Sequence, residues 1–456
     1  LKAVGAQAPA AVRFGRTCMN RQSTHDIDRI GLALAGGGPL GSIYEIGVLC
    51  ALQEALVGVE FNKCDVYVGV SAGAFIAAGL ANGYSPRDLC ARFIESETAS
   101  DPFEPDILLR PAVKEYVRRL SRLPELAAGA LASYVGNPGE PYTTRGFFEA
   151  FQRLTRALPN GVFDNATIST YLARMFDRPG RTNDFRKLSR KLYIVATDLD
   201  TAEAVTFGAP GRDDIPISDA VKASSALPGL YPPARIGDRD YVDGALKKTL
   251  HASVALKAGA KLLFCVNPLV PFDARLAKGR IPGGGERLAD QGLAAVLSQT
   301  FRALIQSRMR VGMERYAHEY PGADIVLFEP GRDDAQIFFA NVFSYADRRR
   351  LAEHAYQHTR AELRRRRQEL EPVLARHGLA LDFDVLADRD RRLIGPSIRP
   401  RLNRLAAETR RLTTTLDRLD HALTQGAPVS PRAKVAGPRG GGNARKAEKA
   451  HARTHS

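Results

Sequence analysis

IGLALAGGGPLGSIYEIG, Ile30 to Gly47, is the stretch whose reading decides the fold, and VYVGVSAGAFIAAG, Val66 to Gly79, repeats its form. Each is a short apolar run, a glycine turn and then a helix. Ile30 to Ala35 carries no helical stripe, so it reads as a buried strand. Gly36, Gly37 and Gly38 leave their peptide N–H groups unshielded, and the helix that follows turns Ile43, Gly47 and Leu49 to Leu52 inward. A helix start offers unpaired donors and a positive dipole end, a place for an anion. In the second stretch Gly69-Val70-Ser71-Ala72-Gly73 matches G-x-S-x-G between strand and helix, the setting in which a serine sits on a tight turn with its hydroxyl exposed.

A third stretch completes the set. Tyr241-Val242-Asp243-Gly244-Ala245 ends an apolar segment in a glycine turn, and upstream of it lies Ala223-Ser224-Ser225-Ala226-Leu227-Pro228-Gly229, then Tyr231-Pro232-Pro233. A glycine loop, G-x-S-x-G, A-S-x-A-x-P and D-G-A in this order resemble the patatin-like phospholipase family over residues 30–268. The resemblance implies a three-layer α/β/α hydrolase domain that cleaves lipid esters, phospholipids first, with a Ser-Asp dyad. It implies Ser71 as nucleophile, Asp243 as base, and Gly36, Gly37, Gly38 and Gly41 as the oxyanion loop, with Gly69, Gly73, Gly244 and Ala245 completing the motifs. No metal or organic cofactor is implied. One position departs from the pattern. The family often carries Arg or Lys just before the last glycine of the loop, where this chain has Leu40 after Pro39.

Other chemistries fit less of the chain. Gly36-x-Gly38-x-x-Gly41 also satisfies the dinucleotide fingerprint, which expects an acidic residue about 20 positions on at the end of a second strand. Glu60 lies near that distance but follows Leu56-Val57-Gly58-Val59, a poor strand, and that reading leaves Ser71 and Asp243 unused. No Lys-Ser/Thr follows the loop, as a phosphate-cradling NTPase loop requires. A serine attacks only when its proton is taken up, most often by histidine. The order Ser71, Asp243, His251 mimics a hydrolase triad, yet His251 opens a helix that leads away. A dyad suffices if Asp243 is desolvated, since burial raises a carboxylate above its free value of about 3.9. His354 and His358 stand four apart on a helix without a third metal ligand and read as a solvated face. Asp198 and Asp200 read as turn residues.

The chain has 456 residues, 44% of them hydrophobic, enough for one large domain and an extension. Its net charge of +15 is concentrated at the ends: residues 1–26 carry +3 and residues 426–456 carry +6. Such ends suit anionic lipid surfaces and equally nucleic acid, or else serve as solvated tails; beside the resemblance to lipid hydrolases, nucleic acid is not the expected partner. Cys18, Cys50, Cys64, Cys90 and Cys265 are odd in number and form no C-x-x-C pair, as in a reducing, cytoplasm-like compartment. The first twenty residues hold no signal-peptide core, and no run approaches about 18 apolar residues, so contact with a membrane is expected to be peripheral.

Residues 1–27 read as a disordered arm and 28–275 as the catalytic domain. Within it, the proline-punctuated insertion 100–144 reads as a lid or as an ordinary subdomain. Helices are expected over 86–97, 144–158, 165–176 (capped by Asn165), 217–226 and 250–258, and strands over 191–198, 202–207 and 262–267. Residues 276–399 read as a mainly helical, basic extension holding a helix over 286–316 and a strand over 324–328. In 400–425, Leu402, Leu405, Thr409, Leu412, Leu416, Leu419 and Leu423 follow heptad spacing, a seam for self-association or a stripe that lies on the domain. Residues 426–456 read as a disordered tail. A basic membrane or assembly adaptor on a hydrolase fold is the other class of function, and its role would survive loss of Ser71. The tail can act only by long-range attraction. Removing residues 426–456 is therefore expected to weaken co-sedimentation with anionic vesicles, increasingly so at low salt, and to leave hydrolysis of a short soluble ester unchanged.

Overall fold

Apolar runs too short for helices alternate with helical stretches, and they stack as one open sheet with helices on both faces. In the computed structural model of the chain, the described residues are 29–95, 160–277, 287–340 and 347–394, with 110–112, 116, 117, 121 and 128 between them. All belong to the first of two compact units, residues 1–395. The expected arm 1–27, nearly all of the insertion 100–144, the helix over 144–158, the heptad stretch 400–425 and the tail 426–456 lie outside the described residues.

Among the described residues the strands are β1 (Ile30–Leu34), β2 (Leu56–Val57), β3 (Val66–Val70), β4 (Lys191–Asp198), β5 (Ala204–Phe207), β6 (Ala234–Ile236), β7 (Arg239–Asp243), β8 (Leu262–Val266), β9 (Asp324–Phe328) and β10 (Ala380–Leu381). The α-helices are α1 (Gly38–Ala55), α2 (Ala72–Ala81), α3 (Pro86–Cys90), α4 (Ala166–Phe176), α5 (Ile217–Ser224), α6 (Ala252–Lys257), α7 (Gly292–Glu319), α8 (Ala335–Phe338), α9 (Arg348–Arg365), α10 (Arg367–Arg376) and α11 (Phe383–Ala387). Strands β9, β8, β1, β3 and β4 run parallel in that order, and β5 and the β6–β7 hairpin add antiparallel pairs at β4.

The period-2 alternation of each strand divides the interior. Leu32, Leu34, Tyr67, Ile194, Phe264, Val266, Val326 and Phe328 face the larger core under α1, α2, α4, α5 and α9. Ala33, Val66, Val68, Val70, Val195, Leu263 and Cys265 face the smaller one under α6 and the C-terminal half of α7. Helix α1 shows why a weak stripe still makes a core helix: it is buried nearly all round, between the sheet and α9.

Several expectations change. The segment after residue 275 is no separate body, because β9 joins the sheet and α9 packs on α1. That helix is rich in Arg and His, yet it buries Leu351, Ala352, Ala355, Tyr356 and Leu363, and its Arg360 guanidinium is itself buried against the carbonyls of Val385 and Asp388, each at 2.6 Å. His354 hydrogen-bonds Asp334 at 2.7 Å. The weak run after α1 does form a strand: β2 pairs β10 and ties the far end of the unit back to α1. The helix expected over 86–97 leaves α-geometry at Cys90 and continues as a turn of π-helix over Ala91–Glu95. Asn165 does not cap α4; its side-chain amide donates to Pro232 O, and Asp164 accepts from Ala166 N instead. The four described cysteines, Cys50, Cys64, Cys90 and Cys265, are buried free thiols.

At Gly47 the backbones of α1 and α9 pack in direct contact. A Cβ there would collide with the Ala352 carbonyl oxygen and stand 2.8 Å from Ala355 Cβ. Gly47→Val is expected to destabilise the fold by about 3 kcal/mol, read as a lowered denaturation midpoint, because a backbone oxygen cannot step aside as a side chain can.

Candidate active site

The site is made where two strands approach the same edge of β4 from opposite ends. β5 pairs residues 194–197 of β4 along one edge. On the other, the parallel register with β3 runs up to Val70 opposite Val195, and the antiparallel register with β7 begins one residue later, with Asp243 opposite Ala196. The first residue after β3 is Ser71 and the last of β7 is Asp243, so register alone brings them together. The Ser71 hydroxyl lies close enough to the Asp243 carboxyl to favour its ionised form.

Ser71 sits at φ 53°, ψ −120°, between β3 and α2. This backbone is strained for a residue with a side chain, and its surroundings must hold it. The Ser71 amide donates to Ser224 Oγ at 2.8 Å, and that hydroxyl donates to Val195 O at 2.5 Å. Two residues on, Ala226 O accepts from Asp243 N at 3.0 Å. The end of α5 thus brackets both candidate residues. The glycines let backbones touch. A Cβ on Gly73 would lie 2.5 Å from Leu34 O, one on Gly36 3.2 Å from Ser71 Cβ, and one on Gly244 would overlap Val195 O.

Burial dominates the electrostatics. Asp243 is 2% exposed, and desolvation pushes its carboxyl up to about 6, against the opposing influence of the nearby Ser71 side chain and of the Ala245 amide, which donates to it at 2.8 Å. His251 is also buried; desolvation pushes it down to about 4, which leaves it neutral at pH 7. Its Nε2 lies 3.4 Å from Gly244 O, and no histidine figures among the groups acting on Asp243. The structure therefore assembles a serine and a carboxylate but not the Ser71, Asp243, His251 series.

Beside Ser71 stands the glycine turn. Among the described residues the amides of Gly36, Gly37 and Gly38 have no partner, and neither has that of Ala72, the first residue of α2. Gly41 differs from expectation as a donor: its N–H is used within α1, bonding Gly37 O at 3.0 Å. Its role is room, since a Cβ there would press on Pro268 Cγ at 3.2 Å. Leu40, just before the last glycine of the turn, packs against the larger core. Asp198 closes a turn, accepting from the Asp200 and Thr201 amides and from Arg239. No group of three or more His, Cys, Asp or Glu among the described residues is placed to hold a metal. Ser224, Ala226, Ala72 and Pro268 escaped the sequence reading as parts of the site. Ser224 and Ala226 lie in a recognised motif, but their reach to Ser71 and Asp243 needs the folded chain.

The sequence model of the patatin-like phospholipase family matches residues 32–256. An uncharacterized NTE family protein of Mycobacterium tuberculosis is 27% identical over 253 residues, which are 56% of this chain and 32% of that protein. The chain thus spans about a third of the length of the curated relatives it matches. Among solved structures, VipD from Legionella pneumophila matches at 15% identity and a TM-score of 0.32, over 72% of this chain and 67% of that one. The type III effector protein ExoU matches at 16% and 0.32, over 75% and 53%.

The raised carboxyl has a stability consequence. The folded chain holds the Asp243 proton more tightly than the unfolded chain does, so stability falls as pH rises from the ordinary 3.8 to about 6, and the loss is complete above that. The loss is on the order of 3 kcal/mol. Asp243→Asn is expected to melt at higher temperature than the parent at pH 7 to 8, with the gap closing towards pH 4.

Proposed function

From the premise that residues 32–256 are a patatin-like phospholipase domain, we propose that the chain hydrolyses the carboxylic esters of lipids, phospholipids first, through an acyl-serine on Ser71 with Asp243 as general base. The observation that carries the reading is the strand register that sets Ser71 beside a buried Asp243 whose carboxyl is pushed up to about 6. At pH 7 that carboxyl is mostly ionised, yet a stronger base than an exposed aspartate.

In the first half-reaction Ser71 Oγ attacks the ester carbonyl carbon while its proton passes to Asp243. The carbonyl oxygen becomes an oxyanion beside the free amides of Gly37 and Gly38, with Gly36 and Ala72 at hand; one such donor is worth about 3 kcal/mol in a serine hydrolase. Collapse breaks the bond to the leaving alcohol, which takes the proton from Asp243. Water then repeats the sequence on the acyl-serine: Asp243 takes its proton, the fatty acid leaves, and the proton returns to Ser71. A single carboxylate serves as acid and base because its burial brings it near working pH. The oxyanion is received by dipoles that need no reorganisation.

A fluorophosphonate probe is expected to label Ser71, and Ser71→Ala to lose labelling together with about 10⁴-fold or more of soluble-ester turnover. Asp243→Asn is expected to lose about as much as a disabled base does elsewhere, roughly 10⁴-fold. His251→Ala, whose ring nitrogen is aimed at Gly244 O and not at Asp243, is expected to keep most activity. Since the base must be ionised, kcat/KM is expected to rise tenfold per pH unit below about 6 and to level off above it. A dead His251 variant beside an active Asp243 variant would overturn the assignment.

A further inference from the structure

Helix α7 carries an unusual surface. Of the ten large hydrophobic side chains found exposed among the described residues, five lie on it: Leu293, Val296, Leu297, Leu304 and Val311, between 41% and 73% exposed. Successive helical residues turn by about 100°, so Leu293, Leu297, Leu304 and Val311 fall within an arc of about 40° and form one ridge. The opposite side of the helix is spoken for: Met309, Met313 and Tyr316 pack in the smaller core. An apolar ridge of this length facing water marks a contact surface.

Beside the ridge lies a groove of about 400 Å³ between α6, α7 and the turn after β7. Lys247, Lys248, Lys257, Arg308 and Arg315 line it against one acid, Glu319, and Val311 belongs to both groove and ridge. All five cations are exposed. Lys247 donates to Ala202 O, Arg308 to Leu246 O, and Arg315 pairs with Glu319. Lys248 and Lys257 have no acidic partner among the described residues. A helix with an apolar ridge flanked by cations is the form that lies in a membrane interface, its side chains among the acyl chains and its charges among anionic headgroups.

We propose that α7 and its groove dock the chain on an anionic bilayer, the ridge entering the interface and the groove holding headgroup phosphate or carboxylate. The cations select this occupant over the chain's own basic ends, which carry +3 and +6 and would be repelled. Docking bears on the lipid-ester reading, on which this inference rests for its purpose though not for its test. Arg308 bonds Leu246 O, three residues beyond Asp243, and Arg302 bonds the carbonyls of Pro268, which abuts Gly37 and Gly41, and of Val270. A docked α7 therefore carries both loops of the candidate site to the lipid surface.

The test measures binding without chemistry, so failure of the hydrolase assignment leaves it intact. Full-length Ser71→Ala protein is co-sedimented with vesicles of phosphatidylcholine alone and with phosphatidylserine. Two sets of changes are added: Leu297→Glu with Leu304→Glu and Val311→Glu, and Lys248→Glu with Lys257→Glu. All five positions are exposed, so thermal melts are expected to stay put. If the apolar set nevertheless lowers the melt, the lysine set decides. Either set is expected to cut partitioning onto the phosphatidylserine vesicles by about tenfold or more, and the lysine effect to fade in high salt. Three results would overturn the proposal: partitioning unchanged by both sets; partitioning lost on deleting residues 426–456 but kept in the α7 variants; or a parent oligomer in sedimentation velocity that the apolar set disperses, which would assign the ridge to a second copy of the chain.

Discussion

One edge of β4 receives two strands of opposite direction, and the ends of those strands are where Ser71 and Asp243 meet. Everything at the site follows from how little room that junction leaves. The turn out of β3 must reverse into α2 within a residue, which forces Ser71 to a positive φ. The turn out of β7 must clear the Val195 carbonyl, which only a glycine at 244 allows. The loop after β1 must lie against both, which requires Gly36. Ser224 then fixes the strained amide of Ser71 to the same β4 residue, Val195, so the central strand holds the geometry from beneath.

Such strain persists only in a scaffold that over-determines it. The scaffold here is the sheet with a large core on one face and a small one on the other. Helix α1 begins at the glycine turn and ends buried under α9, so the turn is anchored by a helix that cannot shift without disturbing the whole core. The buried carboxylate draws on the same reserve. An aspartate kept from water at the end of β7 lowers stability at neutral pH, and the raised affinity for a proton is what suits it to the proposed base role. Structure and proposed chemistry pull in opposite directions at this residue, as they commonly do at active sites.

Much of this was legible in the residues. The strand–glycine–helix units at 30–47 and 66–79 are local patterns, because apolar periodicity and glycine freedom act within a few residues. The strand ending at Asp243 was legible for the same reason, and the order of the motifs pointed to the family. The sequence was misleading where a long-range partner outweighs local tendency. Leu56 and Val57 make a poor strand until Ala380 and Leu381 pair with them. The Arg- and His-rich run from 348 looks solvated until its alanines and leucines meet α1. Gly41 looks like an oxyanion donor until α1 takes up its amide.

The sequence by itself determined which chemical groups are available: a serine on a glycine turn, a carboxylate entering another, and a loop of unshielded amides. These depend on residue type and neighbours along the chain. Only the tertiary structure decided which of them touch. It aimed His251 at Gly244 O rather than at Asp243, drew Ser224 across to the Ser71 amide, and left the ridge of α7 facing water. The physical reason is the register of β4: hydrogen-bond pairing between strands far apart in the chain fixes side-chain neighbours to within one residue, and local sequence carries no record of that pairing.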